Sequence, residues 1–174
     1  MKTNAAYLAA GVTNIGAEMA LGDRWSIDLP IVYSPYTLAR SYRLRFLYAQ
    51  PEARYWLGRP LRGHFLGLHA NIGVANVSLN GRYRYQTPRG FYGAGLSYGC
   101  ALTIGGGWAL ELTAGVGYFH TGYDTYDNIN VPDGQRRRKG SALNYWGVDK
   151  LGVTFVYRFG HKPAAKTGKE EGTL

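Results

Sequence analysis

The sequence predicts an all-β fold, an eight-stranded antiparallel up-and-down transmembrane β-barrel. Three observations lead there. Long stretches alternate strictly between large apolar residues and small or polar ones, and period two is the signature of a strand with two different faces. Tight glycine turns and longer polar links come in turn between those stretches. Aromatic side chains gather at both ends of the apolar faces. The composition agrees, with 25 Gly and 15 Tyr among 174 residues, since glycine disfavours helices and tyrosine favours strands. A chain of this length is expected to form one domain.

The elements follow in order. Residues 3–10 are expected as a first strand with ambiguous faces. A second carries Ile15, Ala17, Met19 and Leu21 opposite Gly16, Glu18 and Ala20. A third places Trp25, Ile27, Leu29, Ile31 and Tyr33 on one face and Ser26, Asp28, Pro30 and Val32 on the other. The fourth alternates Leu47, Ala49, Pro51, Ala53, Tyr55 and Leu57 with Tyr48, Gln50, Glu52, Arg54 and Trp56. Pro51 cannot donate in a ladder, which predicts a bulge or bend there. The fifth runs Leu66, Leu68, Ala70, Ile72, Val74, and the sixth Tyr92, Ala94, Leu96, Tyr98, Cys100, Leu102, Ile104. The seventh runs Trp108, Leu110, Leu112, Ala114, Val116, Tyr118, and the eighth Leu151, Val153, Phe155, Tyr157, Phe159.

Short links at 22–24, 58–63 and 105–107 and long ones at about 34–44, 77–90 and 121–144 fit a barrel with tight turns on one side and loops on the other. Only the first link, near 11–14, breaks the rule. Asn80-Gly81 suits a hairpin tip that would carry strands five and six past the membrane. Barrel residues are expected over 2–160 and a polar, disordered periplasmic tail over 161–174. Met1-Lys2 and the Ala-rich stretch broken by Asn4 make no good signal peptide, so the sequence reads as a mature chain.

Eight alternating strands also suit a soluble barrel with its apolar face inside. Here that face is large and aromatic, and the opposite face is mostly Gly, Ala, Ser and Thr. A narrow eight-stranded interior is filled by its own side chains, so the small face is expected inside and the large one against lipid. Trp25, Tyr55, Trp108, Tyr157 and Phe159 would form the girdle at the short-turn end, and Tyr33, Tyr92, Tyr118 and Tyr145 the one at the long-loop end, at depths where amphipathic rings meet both lipid and water. Glu18, Asp28, Glu52, Arg54, Glu111, Lys150 and Arg158 fall on the inner face. Buried charge demands pairing, so these are expected to form a polar plug. A narrow, gated pore is the alternative.

The net charge of +9 gathers partly in Arg136, Arg137, Arg138 and Lys139 within the longest link. That cluster suits lipopolysaccharide phosphates or an acidic surface partner. Nucleic acid is not expected, because no recognition motif accompanies the cluster. A single cysteine, Cys100, allows neither an internal disulfide nor a multi-cysteine metal site, and His64, His69 and His120 lie on separate strands. No metal, cofactor or catalytic residue is expected. His120 with Ser141 could serve a lipid-modifying hydrolase or acyltransferase, but no flanking motif accompanies the pair.

Several motifs together resemble a family. They are Lys2-Thr3-Asn4, Asn14-Ile15-Gly16-Ala17-Glu18, Leu21-Gly22-Asp23-Arg24-Trp25-Ser26, Gln50-Pro51-Glu52-Ala53-Arg54-Tyr55-Trp56-Leu57, Gly63-His64-Phe65-Leu66-Gly67 and Tyr92-Gly93-Ala94-Gly95. The chain resembles, over about residues 2–159, an uncharacterised group of Gram-negative outer-membrane barrels with a domain of unknown function, of the small OmpA/OmpX-type architecture. The resemblance implies fold and location and brings no activity. The last strand also resembles the signal read by the outer-membrane barrel assembly machinery. Lys150, Gly152, Phe155 and Tyr157 stand at its polar, glycine and aromatic positions, with Phe159 as the terminal aromatic. The tail beyond Phe159 departs from that pattern. The role expected is therefore non-enzymatic: an outer-membrane protein, structural or interacting through its loops, with an accessory subunit as one form of that role.

Overall fold

The computed structural model describes residues 1–39, 42–78, 83–127 and 136–159, the side chains at 38, 39, 136 and 137 excepted. The 161–174 tail and the Asn80-Gly81 tip lie outside the described residues. Ten strands form one antiparallel sheet: β1 (Lys2–Asn4), β2 (Thr13–Leu21), β3 (Trp25–Ala39), β4 (Tyr42–Ala49), β5 (Glu52–Trp56), β6 (Gly63–Ser78), β7 (Tyr83–Gln86), β8 (Phe91–Gly105), β9 (Trp108–Asp127) and β10 (Arg136–Tyr157). Among the described residues one short helix, α1 (Ala5–Ala9), follows β1.

The sheet closes on itself. β1 pairs with β2 on one side and with β10 on the other, Lys2 lying opposite both Gly16 and Val156. β4 and β5 occupy one strand position between β3 and β6, and β7 adds to the open ends of β6 and β9. The result is an up-and-down ring of eight strand positions.

Four expectations change. Residues 3–10 do not form one strand. The Asn4 side chain accepts from the Ala6 amide at 2.9 Å and caps α1, a cap followed by good helix formers. Gly11, at φ +73, then reverses the chain, the left-handed stop that glycine favours. Pro51 causes no bulge. Ala49 pairs with Ile31 and Glu52 with Asp28, so the register runs through unshifted. The Gln50 amide donates to the Pro30 carbonyl at 3.1 Å, and the Pro51 carbonyl accepts from Ala70 at 2.9 Å.

The long links are mostly strand. β3 and β4 stay paired up to Ala39 and Tyr42, and β9 and β10 up to Tyr126 and Arg136. The Arg136–Lys139 cluster is thus the start of β10, not a loop. The fourth change is a bulge in β10, where none was expected. Between Val148 and Lys150 the β9–β10 register slips by one residue, and the extra residue is Asp149. Below it, Leu151, Val153 and Phe155 face outward; above it, outward positions fall to Val148, Trp146 and Asn144. Tyr145, expected in the outer girdle, instead pairs with Phe119 and stacks on its ring at 4.8 Å.

The outer face is apolar. Ile15, Leu29, Leu68, Ile72, Leu96, Val116 and Leu151 are all at least 44% exposed. Cross-strand aromatic pairs mark its two ends. Trp25–Tyr55 and Trp108–Tyr157 lie near the short turns, with centroids 5.2 and 5.0 Å apart, and Tyr92–His120 and Tyr118–Trp146 near the other end at 5.6 and 4.9 Å. Tyr33 is outward and exposed, and Phe159, past the end of β10, packs its ring on Tyr157 at 5.1 Å. The buried residues line the interior.

Candidate functional site: the lumen

Each wall strand contributes inward residues at period two, and the lumen fills in layers. At the short-turn end Trp56 and Phe65, both fully buried, pack ring on ring at 4.7 Å, in one cluster with Ala101. The Trp56 indole donates to Ser26 Oγ at 2.8 Å, and that hydroxyl donates to Glu18 at 2.5 Å.

The next layer is ionic and centres on Arg54, which is 1% exposed. Its guanidinium lies 3.1 Å from Glu18, 2.7 Å from Asp28, 2.5 Å from Glu52 and 3.0 Å from Glu111, with its other face on the Phe65 ring at 4.3 Å. Lys2 reaches in from β1 to Glu111 at 2.7 Å, to Glu18, and to Asp28 at 3.6 Å. Lys150 lies 2.9 Å from Glu52, which also accepts from Ser97. Such a cluster is stable only when each charge finds partners, and removing one partner from a buried pair costs about 3–5 kcal/mol. Glycine makes the room: a Cβ at Gly67 would collide with Glu52 and Ser97.

Above it, Asn71 accepts from the Tyr48 hydroxyl at 2.7 Å and the Gln50 amide at 2.8 Å, and donates to Asp149 Oδ2 at 2.7 Å. His69 Nε2 lies 2.8 Å from the same oxygen. This layer floors a cavity of about 400 Å³ walled chiefly by Phe46, Tyr48, Phe91 and Phe119, and lined also by Tyr7 of α1. A smaller void of about 50 Å³ lies beside Lys2, Asp28 and Arg54.

Six of the seven charged residues expected inside are brought together: Glu18, Asp28, Glu52, Arg54, Glu111 and Lys150. Arg158 is not among them. It lies at the short-turn end, where its guanidinium donates to Thr103 Oγ1 at 3.0 Å and to the Leu61 carbonyl. The sequence reading missed Lys2 and Asp149. Lys2 sits in a strand of three residues, too short to show a period. Asp149 was signalled, because Val148 and Leu151 are three apart and break period two.

His120 and Ser141 do not form a pair. His120 lies opposite Asn144 and shares a 2.7 Å hydrogen bond with it, whereas Ser141 lies opposite Tyr123. His64 is outward, 2.7 Å from the Tyr98 hydroxyl. Arg138 and Lys139 are exposed; the side chains of Arg136 and Arg137 lie outside the described residues. Lys150, Gly152, Phe155 and Tyr157 stand on β10.

An all-β chain folded as a closed antiparallel ring around a packed ionic interior defines the class. Residues 1–159 match the family described as a protein of unknown function, DUF3575, and the chain belongs to that family. No curated protein and no solved structure matches it.

Proposed function

We propose that the protein is a non-enzymatic eight-stranded β-barrel of the Gram-negative outer membrane, closed to ions, acting structurally or through the rim at its long-strand end. One observation carries the reading: the ring is apolar outside and charged inside. Soluble monomers rarely expose contiguous apolar patches of more than a few hundred Å², and here exposed Leu, Ile, Val, Trp and Tyr surround the ring. Closure supports it too, because hydrocarbon tolerates no unpaired strand edge.

The layered lumen favours a plug over the pore reading. Trp56, Phe65 and Arg54 are essentially inaccessible, so an ion would have to break the network to pass. The lipid-modifying reading has nothing in its favour at His120, whose ring is held by Asn144. Arg45 stands on the outward register two residues beyond Leu47, and Arg138 and Lys139 are exposed at the same end. This is where phosphates of lipopolysaccharide would lie, and Arg pairs well with phosphate. An acidic protein partner at the rim, and recognition of β10 by the barrel assembly machinery, belong to the same reading.

The test is refolding in detergent, followed by electrophoresis of boiled and unboiled samples and by planar-bilayer recording. The expected result is a mobility shift on boiling and no conductance steps. A soluble monomer without detergent would sink the membrane reading, and steady single-channel steps would restore the pore.

A further inference from the structure

We propose that the upper lumen is a binding site for a small amphipathic organic cation, an ammonium group on an apolar or aromatic body. The walls set the apolar half. Phe46, Tyr48, Phe91 and Phe119 surround about 400 Å³, within the range of small-molecule sites. The rings are in mutual contact, Tyr48–Phe91 at 5.8 Å and Phe91–Phe119 at 6.0 Å, and aromatic faces attract cations.

The floor sets the charge. Asp149 is 3% exposed in its side chain. Its Oδ2 is taken by His69 and Asn71, while Oδ1 is buried with no hydrogen-bond partner. A buried carboxylate oxygen left so is costly. The seat for this carboxylate is built by glycine: a Cβ at Gly95 would lie 2.9 Å from Oδ2, and one at Gly117 2.8 Å from Cγ. Two other polar side chains at the cavity are occupied, Thr87 Oγ1 with the Ala75 backbone and Thr121 Oγ1 with the Gly90 carbonyl.

Charge counting points the same way. The connected interior holds five carboxyl groups (Glu18, Asp28, Glu52, Glu111, Asp149) and three cationic side chains (Lys2, Arg54, Lys150). Carboxyl groups there outnumber cationic side chains by two, five against three. An anionic ligand would add to that excess, whereas an ammonium at Asp149 Oδ1 reduces it. The chamber belongs to the ring itself and does not depend on where the protein resides.

The experiment is isothermal titration of the refolded full chain in non-ionic micelles at neutral pH, with protein-free micelles as the blank. The probes are 2-phenylethylammonium, its neutral analogue 2-phenylethanol, and 3-phenylpropanoate. The ammonium should bind at least tenfold more tightly than the alcohol, and the carboxylate should not bind. Asp149→Asn should abolish the preference for the ammonium, and Phe119→Ala should weaken ammonium and alcohol alike. Equal affinity for ammonium and alcohol overturns the proposal, as does heat no larger than micelle partitioning, or a preference that survives in Asp149→Asn. Should Asp149→Asn fail to refold, the comparison of the three probes on the unaltered chain decides alone.

Discussion

Below Asn71 the lumen is nearly filled, with Trp56 on Phe65, Arg54 against four carboxylates, and a void of about 50 Å³ left beside Lys2 and Asp28. Above Asn71 the same eight strand positions enclose a chamber that their side chains do not fill. Backbone closure is common to both halves, so it does not decide whether the interior is full. What differs is reach. Long charged side chains meet across the ring only when opposite walls offer complementary groups. Phenyl rings reach less far and leave a space.

Breaking the lower half should cost most. Arg54→Ala strands four carboxylates with two lysines and is expected to lower stability by about 3–5 kcal/mol, read as the urea midpoint in detergent. An unchanged midpoint would mean that the network is ornamental. Trp56→Ala opens a cavity in the packed layer and should cost about 3–5 kcal/mol by the same assay.

The contrast between inner and outer faces gives the next effect. Leu96→Arg, at mid-height on the outer face, should cost about 2–4 kcal/mol if that face meets lipid, measured by folding into vesicles. On a water-facing surface the same change should stay within about 0.5 kcal/mol, and that result would refute the membrane reading. Smallest is Phe119→Ala in the upper chamber. Its ring already borders empty space, so fewer contacts are lost, and the cost should fall below about 2 kcal/mol, short of the range for packed aromatics. A loss equal to that of Trp56→Ala would mean that the chamber is filled.

Much of this was readable from period two. The faces of residues 66–74, 92–104 and 108–118 stand as the alternation predicts: the β6–β8 and β8–β9 ladders run unshifted until Thr103–Gly105, and the β9–β10 slip puts its extra residue in β10. The inner charges followed from parity alone, but not their pairings, which depend on ring closure and strand stagger. Arg158 shows that limit: its parity is inward, yet it lies too near the short-turn end to reach the network. Residues 3–10, whose faces were ambiguous, follow helix propensity instead, in an alanine-rich stretch with a capping Asn4. The loops were overestimated for a different reason. Beyond the apolar zone, alternation loses its hydrophobic contrast, but backbone pairing continues.

Asp149 sets a reading frame in space. The residues before and after it obey opposite parities, and a single inserted position keeps both halves of β10 in phase with β9. Deleting that one residue would leave the composition almost untouched and yet exchange the roles of the segment from Leu143 to Val148. Tyr145 would turn outward and Trp146 inward, much as a lost nucleotide garbles every codon downstream. Homologues that differ in length at this point should therefore differ in the face of every residue beyond it.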